Sequence, residues 1–339
     1  MTNTLPRFLI IGQLTRDYII LPDGEALIDV PGGNVLYASM GLKIWEPDPP
    51  PAIVARVGGD YPSEWLNQFS DWGLNTQGVR TLSEPVDSRF FTSFVDRSTR
   101  KYDDPLSHFA RHGLQFPKSL LGYRYSNTQI SSRTRMQNVS LRQGDIPLEF
   151  LDASAAHFCP LDYLTHSLLP AVLRQSEFTT ITLDPSAGYM TPAFWDDVPA
   201  LLTGLTAFLP SEEEVRALFH GRSTDLWEMA EALAVYGCEM IIIKRGERGQ
   251  YLYIASTHTR WEVPPYPAHI NNPVGAGDAF CGGFLAGYRR TYDPLDAVLY
   301  GNISASLVVE GNSPSYVLDA HPALANARLE ALRQSVRKL

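Results

Sequence analysis

The sequence predicts an α/β fold with a mostly parallel central sheet. Short apolar or β-branched runs recur along the chain, at Phe8–Ile11, Thr179–Leu183 and Met240–Lys244, as expected for buried strands. Helix-like stretches such as Tyr163–Arg174 stand between them, and that alternation is the mark of the α/β class. The first apolar run ends at Gly12, with polar residues following, the usual geometry of a binding site at the end of a parallel strand.

The chain has 339 residues, enough for one large α/β domain with an appendage or for two domains. Hydrophobic residues make up 44%, so a substantial core can form. A formal net charge of -9 argues against a general binder of nucleic acid or of membrane surfaces. The three cysteines, Cys159, Cys238 and Cys281, are widely spaced and suggest neither a disulfide framework nor a zinc cluster. A reducing, cytoplasmic setting is expected, with no secretory leader and no bilayer-spanning run.

In chain order, Phe8–Ile11 is a strand and Asp17 follows closely enough to hold substrate hydroxyls, or to serve as a turn residue. The stretch from Tyr18 to Pro22 alternates as a strand. Pro31-Gly32-Gly33-Asn34 leads into a helix from Val35 to Leu42. Paired glycines there let a ligand approach the backbone, and Asn34 can donate and accept hydrogen bonds or act as a plain N-cap. Ile53–Val57 is a strand, and Gly58-Gly59-Asp60 is a turn in which Asp60 is expected to cap the next helix.

Residues 84–146 are irregular apart from a strand at Arg89–Val95, expected to build a small sheet with the strand from Tyr18. Nine basic residues fall between 97 and 146 (Arg97, Arg100, Lys101, Arg111, Lys118, Arg124, Arg133, Arg135 and Arg142), against three acidic ones, Asp103, Asp104 and Asp145. A solvated loop explains such an excess, and so does an anionic substrate. From 155 the alternation resumes. Strands are expected at Ala155–Cys159, Thr179–Leu183 and Leu205–Leu209, and Ser211-Glu212-Glu213-Glu214 has a capping-box pattern. Met240–Lys244 runs into the turn Arg245-Gly246-Glu247-Arg248-Gly249. Helices are expected over 276–290 and 295–310, the second containing Asn302, and a surface helix over Pro322–Leu339.

The remaining stretch, Asn272-Pro273-Val274-Gly275-Ala276-Gly277-Asp278, is a tight turn entering a helix. Free N–H groups and the helix dipole at such a start favour an anion, most simply phosphate. Alone, Gly275 and Gly277 would merely cap a helix whose dipole Asp278 offsets. A carboxylate beside a phosphate makes chemical sense if it takes a proton from an attacking hydroxyl.

Gly275-Ala276-Gly277-Asp278, together with Gly12 and Asp17, Gly32-Gly33, Gly58-Gly59-Asp60, Glu214 and the 244–249 turn, resembles the ribokinase-like (PfkB-type) carbohydrate kinases. The resemblance implies a three-layer α/β/α domain over 1–339 with a small β lid formed by about 17–31 and 84–146. It implies a phosphotransferase with an alcohol acceptor: an ATP-dependent kinase passing the γ-phosphoryl group to a hydroxyl of a small sugar or sugar-like substrate. A nucleoside kinase, or a sugar- or nucleotide-binding regulatory protein with impaired catalysis, are the alternatives. Asp278 would be the base, and Gly275, Ala276 and Gly277 the anion hole. Asp17, Gly32, Gly33 and Asn34 would bind substrate. Lys244, Gly246, Gly249 and Asn302 would line the nucleotide site, and Glu214 would act on Mg2+ through water. ATP and Mg2+ are the implied cofactors. No nucleic acid or membrane partner is implied, and a homodimer through the lid is an option of the family. Four positions depart from the pattern: Tyr37 and Ser211 replace asparagines, Lys244 a threonine, and Asn272-Pro273-Val274 stands where Asp-Thr-Thr is common. The last removes the carboxylate and hydroxyls of the family's monovalent-cation site.

Overall fold

The computed structural model describes residues 5–96, 99–125 and 131–338; Arg97 and Leu339, both part of expectations above, lie outside the described residues. Fourteen strands are described. They are β1 (Phe8–Ile11), β2 (Thr15–Ile20), β3 (Ala26–Gly32), β4 (Ala52–Val57), β5 (Asn75–Thr81), β6 (Arg89–Phe94) and β7 (Arg100–Lys101), then β8 (Ala155–Phe158), β9 (Thr180–Leu183), β10 (Ala207–Phe208), β11 (Met240–Lys244), β12 (Gln250–Ile254), β13 (Thr259–Val263) and β14 (Arg337–Lys338). The helices are α1 (Asn34–Lys43), α2 (Ser63–Asp71), α3 (Pro105–Arg111), α4 (Tyr163–Arg174), α5 (Val198–Leu202), α6 (Glu212–Leu218), α7 (Leu226–Ala234), α8 (Ala276–Thr291), α9 (Pro294–Val308) and α10 (Pro322–Arg333).

Ten strands form the main sheet in the order β14-β13-β12-β11-β10-β9-β8-β1-β4-β5. From β5 to β11 neighbouring strands are parallel, and β12, β13 and β14 add antiparallel edges. Alternation along each strand divides the core into two layers. Phe8 and Ile10 of β1 and Met240 and Ile242 of β11 face α1, α8 and α9, whereas Leu9, Ile11, Ile241 and Ile243 face α4, α6 and α7. The three-layer α/β/α expectation is what the sheet and its flanking helices display.

The helices start where side chains satisfy their first N–H groups. Asp162 accepts from Thr165 N at 3.1 Å before α4, and Asp293 accepts from Asp296 N at 2.8 Å before α9. Ser211 and Glu214 form the expected reciprocal box at α6. Two expectations change. Asp60 caps no helix; its carboxylate accepts from Val86 N at 2.9 Å and ties two loops together, while α2 starts after Pro62. The C-terminal helix ends at Arg333, and the chain then turns so that Arg337 and Lys338 pair with Glu262 and Trp261 as an edge strand.

The second sheet, in the order β3-β2-β6-β7, is the small separate sheet expected from β2 and β6. Its outer face has a small core of its own, in which Tyr18, Ile20 and Phe91 pack with Phe109 of α3 and Leu120. That face is covered by the chain itself. The expected lid boundary at 146 is too late, because residues from Ser131 onward return to the main body. Leu141 and Ile146 join the core layer beside α4, and Ser131 N donates to Gly188 O at 3.0 Å. Arg56 grips the buried Asp145 carboxylate through two bonds of 2.8 and 2.9 Å, and Arg80 adds a third at 3.2 Å. Asp145 therefore offsets main-body arginines, and Arg133 pairs with Asp197 and lies over Phe194. Part of the basic excess is thus structural.

Helices α1 and α8 cross with backbone nearly touching backbone. A Cβ at Gly282 would overlap Ala38 O, and one at Gly41 would overlap Ala279 O. The Gly282→Ala variant is expected to lose about 2–3 kcal/mol, because overpacking must be relieved by moving helices rather than side chains. Urea unfolding of the two proteins checks this; an unchanged midpoint would show that the crossing tolerates spreading.

Candidate active site

The site is assembled at the C-terminal ends of the parallel strands, where α/β sheets open. Just past β1, Gly12 lies so close to Asn34 Oδ1 that a side chain there would collide with it. Asn34 accepts from Gln13 N at 2.7 Å and donates to Pro160 O at 2.9 Å, joining the loops after β1 and β8. Its expected N-cap role falls to Gly33, whose φ of 111° no ordinary side chain adopts comfortably. Asp17, on β2, is 3% exposed and accepts from Thr15 Oγ1 at 2.6 Å, with Gly32 against its other oxygen. A bulge between Asp17 and Tyr18 re-aims the strand at this point. No cation pairs with Asp17 among the described residues, and burial pushes its carboxyl up to about 7.

Gly275 is the N-cap of α8, with φ 76°, and the ring of Tyr37 occupies the space where its side chain would be. The N–H groups of Gly277 and Asp278 have no acceptor among the described residues. They are the free donors that an anion would satisfy. Asp278, half-buried in the first turn of α8, is pushed up to about 6 by burial; Lys244 and Arg100 oppose that push, and Asp17 and Glu214 add to it. Those effects show that side chains from β2, α6, β7, β11 and α8 share one electrostatic environment.

Lys244 ends β11 and forms an ion pair with Asp184, just past β9; its Nζ also lies 3.6 Å from Cys281 Sγ. Burial pulls the Lys244 ammonium down, but Asp184, Cys281 and Glu214 together hold it above its ordinary value. A Cβ on Gly277 would stand 3.6 Å from Lys244 Nζ, so the charge lies directly beneath the glycine turn. Glu214 Oε2 accepts from Ser211 N at 2.8 Å and Ser211 Oγ at 2.7 Å. Burial raises the Glu214 carboxyl to about 7, with Asp184 adding to the effect.

Other expected site residues have different surroundings. Gly246 and Gly249 frame the turn after Lys244, and both have positive φ. Asn302 is buried, and both its amide hydrogens are taken, by Gln250 Oε1 and Pro264 O, each at 2.8 Å, while its oxygen accepts from Tyr266 N at 2.9 Å. The Asn302 side chain, expected to line the nucleotide site, is instead taken up as a structural staple of the 264–266 loop. Asp184, just past the expected strand at Thr179–Leu183, also belongs to the site through its pairing with Lys244. Its signal was the charge left by Lys244 in an otherwise apolar strand, which calls for a buried partner.

An α/β/α sandwich with a glycine turn at a helix start and a β lid above it defines the ribokinase-like class. Residues 154–320 match the family model described as pfkB family carbohydrate kinase. Over that span the chain is similar to the ribokinase-like (PfkB-type) carbohydrate kinases. It is similar to a cytidine kinase of Thermococcus kodakarensis, 26% identical over 291 residues that cover 83% of this chain and 88% of that one. A 5-dehydro-2-deoxygluconokinase of Shouchella clausii is 31% identical over 137 residues, covering 40% of this chain and 41% of the other. Among solved structures, a putative ribokinase II from E. coli in complex with ATP and Mg2+ superposes with a TM-score of 0.70 at 17% identity, covering 96% of this chain and all of that one. A nucleoside kinase of Burkholderia thailandensis in complex with inosine gives a TM-score of 0.65 at 17% identity, covering 96% of each chain. These two likenesses concern the fold. Among the described residues, no helix is long and apolar enough to cross a membrane.

The Lys244–Asp184 pair gives a prediction about stability. Lys244→Met leaves a buried carboxylate without its cation and is expected to cost about 3 kcal/mol. Adding Asp184→Asn should return most of that loss. Chemical unfolding of the single and double variants tests the coupling, and additive losses would contradict it.

Proposed function

We propose that this chain is an ATP-dependent kinase that transfers the γ-phosphoryl group to a hydroxyl of a small sugar or nucleoside. One observation carries the reading: Asp278 stands beside two free N–H groups at a helix start, within the electrostatic reach of Asp17 on the lid strand. The reading takes the free N–H groups as an anion site and Asp17 as a hydroxyl-binding carboxylate near a candidate base.

In this mechanism Asp17 and Asn34 orient the acceptor. Asp278 takes the hydroxyl proton as the oxygen attacks the γ-phosphorus and the bond to the leaving ADP oxygen breaks. The Gly277 and Asp278 amides meet charge on the transferring group, where positioning and electrostatics supply most of the acceleration. Lys244, Gly246 and Gly249 lie along the nucleotide side. Water is excluded when the lid covers the acceptor.

Magnesium fits this site as a companion of the nucleotide. Among the described residues no three acidic, histidine or cysteine side chains converge on a metal position. Glu214 uses Oε2 for its cap and leaves Oε1 without a protein partner among the described residues, so it would hold the ion through water. The ion would offset phosphate charge in a pocket already rich in carboxylates.

Within this reading a nucleoside acceptor has specific support. The half-buried aromatic ring of Phe90 lies on the same face of the small sheet as Asp17, and the buried Tyr37 ring packs against Gly275. Such rings suit a base better than a free sugar. The relative aligned over most of its length is a cytidine kinase by name.

ADP release over a panel of sugars, nucleosides and sugar phosphates tests the assignment; no turnover with any acceptor would favour a binding protein. In Asp278→Asn, kcat is expected to fall by about 1,000-fold or more while nucleotide affinity, read by calorimetry, changes little. Retained turnover would remove Asp278 from the chemistry. The pH profile follows from the sign of the shifts. Asp278 and Asp17 act ionised, and burial holds them at about 6 and about 7. The ratio kcat/KM should therefore be level above pH 8 and fall on acidification through 7 and 6. A profile flat to pH 5 would contradict the assignment.

A further inference from the structure

The registers of the lid sheet decide which of its side chains face the site. β2 and β6 run parallel, with Asp17 opposite Phe90, Ile19 opposite Thr92 and Ile20 opposite Ser93. β6 and β7 run antiparallel, with Phe94 opposite Arg100 and Ser93 opposite Lys101. Directly paired residues share a face, and successive residues alternate. Asp17, Ile19, Phe90, Thr92, Phe94 and Arg100 therefore lie on one side of the sheet. Tyr18, Ile20, Phe91, Ser93 and Lys101 lie on the other.

The second side is covered by α3 and Leu120. The first is turned to the main body: Ile19 and Phe94 cluster with Val274, the residue before Gly275. Arg100, paired with Phe94, is thus carried to the glycine turn and Asp278. Its charge is felt there, since beside the dominant effect of burial both Lys244 and Arg100 hold the Asp278 carboxyl down.

Arg100 also differs from the other arginines of this sheet. Arg16 is paired with Asp29 at 2.6 Å and Arg89 with Asp87 at 2.7 Å. Arg100 is exposed, and among the described residues no carboxylate lies within ion-pair distance of it. Lys244, the other cation of the site, is already held by Asp184. The free N–H groups of α8 belong to the main body, whereas Arg100 is carried by the small sheet on the same face as Asp17.

We propose that Arg100 is a further catalytic residue whose guanidinium donates to the oxygens of the phosphoryl group in transfer, from the side opposite the α8 amides. The inference rests on the kinase reading above. A planar fork of donors suits a phosphoryl group better than a point charge does.

The test uses the full chain with an acceptor found in the panel. In Arg100→Gln, kcat is expected to fall by about 100-fold or more, the scale for losing one donor to transition-state charge. KM for the acceptor should stay within a few-fold. Arg100→Lys should recover only part of the loss, and added guanidinium should partly rescue Arg100→Ala. Lys101→Gln, one residue on and facing away, should behave as the unmodified protein. Thermal unfolding of each variant separates a folding defect from a catalytic one. The inference is overturned if Arg100→Gln keeps its kcat, or if its loss falls wholly on KM for an anionic acceptor, which would make Arg100 an acceptor contact. Full activity of Arg100→Gln beside an inactive Asp278→Asn would sink this inference and spare the kinase reading. Absence of turnover in the unmodified chain with every acceptor would remove both.

Discussion

Backbone contact between α1 and α8 sets the distance on which the site depends. The two helices cross where Gly41 meets Ala279 O and Gly282 meets Ala38 O. Nothing bulkier than a hydrogen lies between the main chains there, so side-chain repacking cannot change the separation. Helix α1 begins at Asn34 and carries Tyr37; α8 begins at the Gly275 turn and carries Asp278. Their first turns meet where the Tyr37 ring covers Gly275. Residues more than two hundred positions apart become one site through a close crossing of helices.

Charge is the second constraint. Asp17, Asp184, Glu214 and Asp278 lie near one another, and burial raises all four. Lys244 keeps Asp184 paired from within the protein. The other three have no full ionic partner among the described residues, so their environment favours ligands that bring hydroxyls or cations to them. Raised carboxyl values suit proton acceptance near neutral pH better than a surface carboxylate does.

The departures from the family pattern have physical roles in this chain. The Tyr37 ring fills the gap left by Gly275. Ser211 caps α6 with Glu214. Asn272 is buried, and its oxygen accepts from Val274 N at 3.0 Å, shaping the approach to the turn. Lys244 supplies an internal counter-charge for Asp184. Each change is answered by a neighbour, as expected of a coherent site.

Local order was readable in the sequence alone. The apolar runs of β1 and β11, the β-branched run of β9, the capping pattern at Ser211–Glu214 and the glycine turn before α8 each depend on residues within a few positions, and composition or cap chemistry reports them directly. Asp278 and Asp17 could be singled out because each follows a recognisable turn or strand. Long-range pairing could not be read that way. That Asp145 holds Arg56 rather than standing in a lid, that Asn302 spends its amide on Gln250 and Pro264, and that Arg337 and Lys338 form an edge strand were decided by which surfaces met in the folded chain. The same is true of Arg100, whose side of the sheet follows from the register of β7 on β6. Sequence periodicity tells which residues share a face of one element, whereas only tertiary packing tells what that face meets.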